Sequence, residues 1–154
     1  KFNSKSSTNV ILSGSYGTGK THLAKASLYA LRHKGFFVIF VQADRMLEMF
    51  LASSPTTEYG DDHKDALRLV SDLERADLVI MDDLGSQTTK TESDYFKDRF
   101  RALMDRMRGR YIITTNSDKT QLRERLGDAI MSRLLENSMV LTMTGSDYRQ
   151  KKTK

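Results

Sequence analysis

Short apolar runs alternate along this chain with stretches in which apolar residues recur every three or four positions. The first pattern marks strands buried on both faces, the second amphipathic helices. Asn9–Ser13 reads as a strand, and the segment to Lys34 as a helix stopped by Gly35. Phe36–Val41 reads as a fully buried second strand. Asp44–Ala52 is helical, Ser53–Gly60 is a loop with the only proline, and Asp62–Glu74 is a further helix through Ala66, Leu67, Val70 and Leu73. Asp77–Asp82 is the third strand. Thr91-Glu-Ser-Asp94 has the form of a capping box opening a helix to about Arg108, with Gly109 as its stop. Tyr111–Thr115 is the fourth strand, and Ser117 or Asp118 caps a short helix through Leu126. Asp128–Glu136 is the last helix and Ser138–Met143 the fifth strand. Strands alternating with helices predict an α/β fold on a parallel sheet.

The first strand-to-helix junction carries chemistry. Gly14-Ser15-Tyr16-Gly17-Thr18-Gly19-Lys20-Thr21 fits G-x-x-x-x-G-K-[ST], in the strand-then-helix setting a phosphate-binding loop requires. Glycines let the backbone curl so that successive N–H groups point at an anion. The following helix adds the positive end of its dipole. Lys20 supplies a mobile point charge for β- and γ-phosphates, and the Thr21 hydroxyl is a ligand for Mg²⁺.

Two further strand ends point to the same crevice. Leu78-Val-Ile-Met-Asp82-Asp83 is an apolar strand ending in two carboxylates, as in a Walker B motif. Asp82 suits a metal role and Asp83 the orientation of an attacking water; neighbouring residues on a strand point to opposite sides, so one cannot do both. The fourth strand ends in Thr114-Thr115-Asn116, where a polar side chain can reach the water or the γ-phosphate. Asn116 as a simple turn residue before Ser117-Asp118 is the competing reading.

The order of these motifs, with Ile130-Met-Ser-Arg133-Leu-Leu-Glu136 and Gly145-Ser-Asp-Tyr-Arg149 behind them, resembles the AAA+ domain of bacterial helicase loaders of the DnaC/DnaI type. The related IstB-type transposition ATPases share most of these features. Gly17–Ala24, which includes His22, and Asp82-Asp83-Leu84-Gly85 carry the most specific likeness. The resemblance implies a three-layer P-loop fold with five parallel strands in the order 5-1-4-3-2 and no C-terminal helical lid. It implies ATP or ADP bound with Mg²⁺ along residues 14–22, and ATP hydrolysis. It assigns Asn116 as sensor 1, Arg133 as an arginine finger acting on a neighbour's γ-phosphate, and Arg149 as a sensor 2-like arginine. A finger acting in trans implies self-association with shared ATP sites. The implied partners are a replicative hexameric helicase and single-stranded DNA. Residues 9–149 would form the ATPase domain, with 1–8 a leader left from a longer N-terminal region and 150–154 a basic tail.

Composition narrows this picture only slightly. The 154 residues suit one domain with a real core, and the absence of cysteine excludes disulfides and thiolate zinc sites from this segment. No apolar run approaches a membrane span and no signal peptide is visible; a cytoplasmic protein is the expectation, with which the absence of cysteine is compatible. The net charge of +5 permits a polyanionic partner. In the resembled loaders an inserted helical element lines a channel for single-stranded DNA, and the candidate here is Asp44–Glu74; yet Glu58, Asp61 and Asp62 make it a poor phosphate-contacting surface, although Tyr59 can stack on a base. Lys97, Arg99, Arg101, Arg106, Arg108 and Arg110 alternate with Asp94, Asp98 and Asp105, which suggests ion pairing on a solvated helix face. A transposition helper, a small-molecule P-loop kinase and a non-hydrolysing nucleotide switch remain as alternatives.

Overall fold

The computed structural model of the chain describes residues 8–53, 61–86 and 94–148. Within them strands and helices alternate: β1 (Asn9–Ser13), α1 (Lys20–His33), β2 (Val38–Gln42), α2 (Ala43–Ala52), α3 (Asp61–Arg75), β3 (Leu78–Asp82), α4 (Asp94–Arg106), β4 (Arg110–Thr115), α5 (Lys119–Leu126), α6 (Asp128–Leu135) and β5 (Ser138–Thr142). The strands form one parallel sheet in the order β2-β3-β4-β1-β5. This is the expected 5-1-4-3-2 order read from the other edge.

The sheet register sorts side chains between two cores. Ile11 is level with Ile113, which is level with Met81. These residues join Phe50, Leu73, Phe100 and Leu134 in a cluster that α2, α3, α4 and α6 cover. On the opposite face Val38, Leu78 and Ile80 pack under Ala24 and Leu28 of α1. Each fully buried Leu or Phe side chain contributes about 1.5–3 kcal/mol by its removal from water. The result is the expected three-layer arrangement. Among the described residues no helix is long and apolar enough to cross a membrane.

Several local expectations change. β2 begins at Val38, because the Phe36 N–H bonds Leu31 O and finishes the α1 turn. It is an edge strand, so Ile39 and Phe40 are only half-buried instead of fully buried. The other edge strand, β5, leaves Met139, Val140 and Leu141 exposed. α4 ends at Arg106, before Gly109. Gly109 is required by a close approach: a Cβ there would lie 2.2 Å from Ala76 O. Asp118 is the cap of α5, with Gln121 N donating to its carboxylate at 2.9 Å and Asp118 N donating to Gln121 Oε1 at 3.0 Å. Two of the basic residues on α4 reach other helices. Arg99 lies over the Phe50 ring of α2 at 4.6 Å, and Arg106 pairs with Glu74 of α3 at 2.5 Å. His63 is buried with Nδ1 2.9 Å from Ala52 O, a tie between α3 and α2. Thr91, Tyr59 and most of the loop Ser53–Gly60 lie outside the described residues, as does Arg149.

Candidate nucleotide site

In a parallel sheet the C-terminal strand ends gather on one side, and a crevice opens where connections leave in opposite directions. Here that crevice is a cleft of about 840 Å³, lined by residues 16–22, Asp82, Asp83, Thr114 and Asn116, with Lys25, Gln42 and Tyr148. The size suits a nucleotide-sized ligand.

β1 delivers the chain to Gly14, and residues 14–19 turn it into α1 with left-handed backbone at Gly17 (φ 73°) and Gly19 (φ 91°). Gly19 caps α1 without a side-chain hydrogen bond, and the first turn holds no acidic residue. The N–H groups of that turn therefore keep their capacity for an external anion. Lys20 is buried, its ammonium donating to Gly14 O at 2.8 Å and Ser15 O at 2.7 Å. The Thr18 hydroxyl donates to Ser15 O at 2.9 Å. The lysine thus braces the loop it belongs to. His22 and Tyr16 are exposed at the cleft wall.

The two carboxylates play different geometric parts. Asp82 Oδ1 accepts from the Thr21 hydroxyl at 2.9 Å and from the Thr114 hydroxyl at 2.6 Å. The Asp83 backbone turns into the left-handed region (φ 61°), which ends the strand and swings its side chain towards β4. There Asp83 Oδ1 accepts from Asn116 Nδ2 at 2.6 Å. The ends of β3 and β4 are laced further by Leu84 N–H to Thr114 O at 2.8 Å and Thr115 Oγ1 to Leu84 O at 2.6 Å. The hard oxygen donors Thr21 Oγ1 and Asp82, side by side at the foot of the loop, are the ligand types that Mg²⁺ takes.

Sequence reasoning left four residues of the cleft lining unassigned: Lys25, Gln42, Thr114 and Tyr148. Gln42 ends β2 level with Asp82 and lines the same cavity. Strand order together with the position at a strand end signals it. Thr114 bonds the Asp82 carboxylate and the Asp83 backbone N–H; its place in the Thr-Thr-Asn run was the only sign of it. The segment after β5 folds back over the loop, with Met143 N–H donating to Ser13 O at 2.7 Å and Tyr148 N–H to Gly17 O at 3.2 Å. Asp147 sits so close that a Cβ on Gly17 would fall 1.7 Å from its Oδ1. No periodicity announces such a segment.

Arg133 stands apart. It lies on α6 in a depression lined by residues at the starts of β1, β4 and β5, outside the nucleotide cleft. Its guanidinium pairs with Asp105 and with Glu136, both at 2.8 Å, and these carboxylates hold its pKa above the ordinary arginine value, with the Glu136 hydrogen bond the largest cause.

A glycine-rich loop between β1 and α1, paired acids ending β3 and a polar residue after β4, on a parallel sheet ordered β2-β3-β4-β1-β5, give the fold of a P-loop nucleotide-binding domain. More narrowly, the chain belongs to the family described as IstB-like ATP binding protein, whose profile matches residues 2–154. It is 33% identical to the replicative helicase loader DnaC of Escherichia coli (strain K12) over 150 residues, 93% of this chain and 57% of that protein. It is 32% identical to the ATP-binding protein of insertion sequence IS21 from Pseudomonas aeruginosa over 152 residues, 94% of this chain and 54% of that protein. The chain therefore spans a little over half the length of these curated relatives. Among solved structures, a DnaC helicase loader superposes with a TM-score of 0.74 at 24% identity, covering 94% of this chain and 82% of that one. The replication initiator DnaA bound to AMPPCP and single-stranded DNA superposes with a TM-score of 0.70 at 20% identity, covering 90% of this chain and 41% of that one. At those identities the superpositions speak for the fold.

Proposed function

We propose that this domain binds ATP with Mg²⁺, hydrolyses it, and serves as the nucleotide switch of a cytoplasmic loader that places a replicative helicase on single-stranded DNA. The observation that carries the chemistry is the convergence of Lys20, Thr21, Asp82, Asp83 and Asn116 on one cleft. The loader assignment rests on the 33% identity to DnaC across nearly the whole chain. Lys20 exchanges loop carbonyls for phosphate oxygens, and the uncapped α1 turn receives the anion. Thr21 and Asp82 would hold Mg²⁺, which would supply charge neutralisation to the phosphates. Asp83 orients a water whose oxygen bonds the γ-phosphorus as the bridging P–O bond to ADP breaks, the water's protons leaving through Asp83 and phosphate oxygens. Asn116 holds Asp83 and reaches the γ-phosphate. Arg133 serves a nucleotide bound to a neighbouring copy, since it faces away from its own cleft, and Arg149 is assigned beside the phosphates by resemblance. The test is capture of the replicative helicase from the source cells by the full-length protein, with and without ATP. Retention that depends on ATP is expected; no retention in either condition rejects the loader role.

A second reading has its own support, the 32% identity to the IS21 protein and the family profile itself. In it the same switch recruits a transposase to duplex DNA. Capture of a transposase in place of a helicase selects it.

A further inference from the structure

We propose that Thr114 is a positioning residue for ATP hydrolysis, the single hydroxyl that sets both acids of the site at once; the inference rests on the reading of the cleft as an ATPase centre. Thr114 is buried near the end of β4, with 2% of its surface exposed. Its hydroxyl donates its one proton to Asp82 Oδ1 at 2.6 Å and accepts from the Asp83 backbone N–H at 2.8 Å. A hydroxyl has one proton and two lone pairs, so this arrangement fixes the direction of the chain: Asp83 N–H to Thr114 to Asp82 carboxylate. Bonds in such a chain polarise one another in a dry setting.

Each bond has a separate geometric effect. Asp82 Oδ1 is held from two sides, by Thr21 on α1 and Thr114 on β4. Two donors from different elements thus hold that oxygen in place beside the loop. The Asp83 N–H would be stranded by the left-handed turn at φ 61°, where a residue other than glycine is strained. Thr114 gives that N–H its partner, and so supports the turn that points the Asp83 side chain at Asn116. One oxygen thus orients the Asp82 carboxylate directly and supports the backbone turn that carries Asp83, whose side chain Asn116 holds.

The role predicts a split between binding and turnover. Phosphate affinity belongs to the loop and Lys20, whereas Thr114 acts on the acids that metal and water use. Thr114→Val keeps the shape and removes the hydroxyl; Thr114→Ser keeps the hydroxyl and removes a methyl. The full-length assembled protein is compared as wild type and both variants, by ATP titration, steady-state hydrolysis, Mg²⁺ dependence and melting temperature. For Thr114→Val the expected result is an ATP Kd within about three-fold of wild type, kcat down about 100-fold as for loss of one positioned donor, and a higher Mg²⁺ requirement. Thr114→Ser is expected to restore kcat to within about three-fold. A Thr114→Val protein with wild-type kcat overturns the proposal, and so does a Thr114→Ser protein as slow as the valine variant. A parallel loss of affinity, turnover and melting temperature also overturns it, since that is a structural role. Wild-type protein that binds ATP but does not hydrolyse it in the assembled state overturns the ATPase reading itself, a result separable from the others.

Discussion

Asn116 Nδ2 and Asp83 Oδ1 are 2.6 Å apart, joining the residues that follow two neighbouring strands. The bond turns a carboxylate at a strand end into an oriented one. With Asn116 replaced by alanine, Asp83 retains its backbone support from Thr114 but loses its side-chain partner. Turnover is expected to fall about 10²-fold, with ATP affinity within about three-fold, because the lost donor acts where charge develops and not on the bound ground state. Single-turnover hydrolysis beside an equilibrium titration checks this, and an unchanged rate removes Asn116 from the reaction.

Lys20→Ala is expected to abolish nucleotide binding at micromolar ATP. A hydrogen bond to a charged group is worth about 1.5–3 kcal/mol, or roughly 10- to 150-fold in affinity. The variant also loses the bonds to Gly14 O and Ser15 O that brace the loop, so part of the loss comes from loop order. Titration with a fluorescent ATP analogue is the measurement. Wild-type affinity in the variant rejects the site.

The position of Asp147 makes an opposite prediction. Its carboxylate lies against Gly17 on the phosphate-binding loop, where a bound triphosphate would bring like charge. Two like charges a few ångströms apart near a protein surface cost on the order of 1 kcal/mol or more. Asp147→Asn is therefore expected to tighten ATP about five-fold, with adenosine affinity unchanged and the gain shrinking at high salt. Gly17→Ala should weaken ATP, since its methyl meets Asp147 and its φ of 73° disfavours any side chain. Equal ATP affinity in Asp147→Asn and wild type would show that the segment moves away before phosphates arrive.

How much of this was legible in the sequence depended on whether a feature is local. β1 matches residue for residue because Val10-Ile-Leu12 is bounded by a loop motif, and the loop carries its spacing in consecutive residues. Asp82-Asp83 and Asn116 were readable as strand ends, given alternating elements. Exposure of the two edge strands was not, because an apolar run looks alike at the centre and the edge of a sheet. Phe36 and Phe37 were assigned to β2, although Phe36 finishes the α1 turn and Phe37 O receives the Asp77 and Leu78 N–H groups. The Thr114 bridge exists only through the β3–β4 register, and the Asp147 contact joins residues far apart in sequence. Neither leaves a periodic trace.

Tyr111 gives a stability test away from the cleft. Its hydroxyl reaches Leu134 O at 3.0 Å and Arg133 O at 3.2 Å, at the end of α6. Tyr111→Phe is expected to cost about 1 kcal/mol in urea unfolding, the usual net value of one hydrogen bond. Burial raises its pKa above the ordinary 10.0, against smaller lowering effects from Ser138, Arg133 and Asn9. A raised folded-state pKa means the neutral form is favoured in the fold. The contribution is complete below pH 10 and is lost as pH rises through the folded value. Wild-type stability should fall more steeply than that of Tyr111→Phe above pH 10; parallel slopes would remove the tyrosine from the alkaline transition.

Arg133 allows the sharpest test of shared sites. It faces away from the cleft of its own chain, and its pairs with Asp105 and Glu136 are solvent-exposed. Exposed pairs of this kind contribute little to stability, so Arg133→Ala should melt close to wild type. If the guanidinium completes a neighbour's site, the variant binds ATP normally but does not turn it over. The Lys20→Ala variant is inactive for the complementary reason, keeping its arginine but binding no nucleotide. Mixed assemblies of the two then contain interfaces where an intact cleft meets an intact arginine. At equal mixing about a quarter of random interfaces have that composition, so hydrolysis should reappear at up to about one quarter of wild type, within the 10³- to 10⁵-fold dynamic range an arginine finger provides. An Arg133→Ala protein with full turnover rejects the finger. Two inactive variants that stay inactive when co-assembled reject the sharing of sites, and confine Arg133 to its bonds with Asp105 and Glu136.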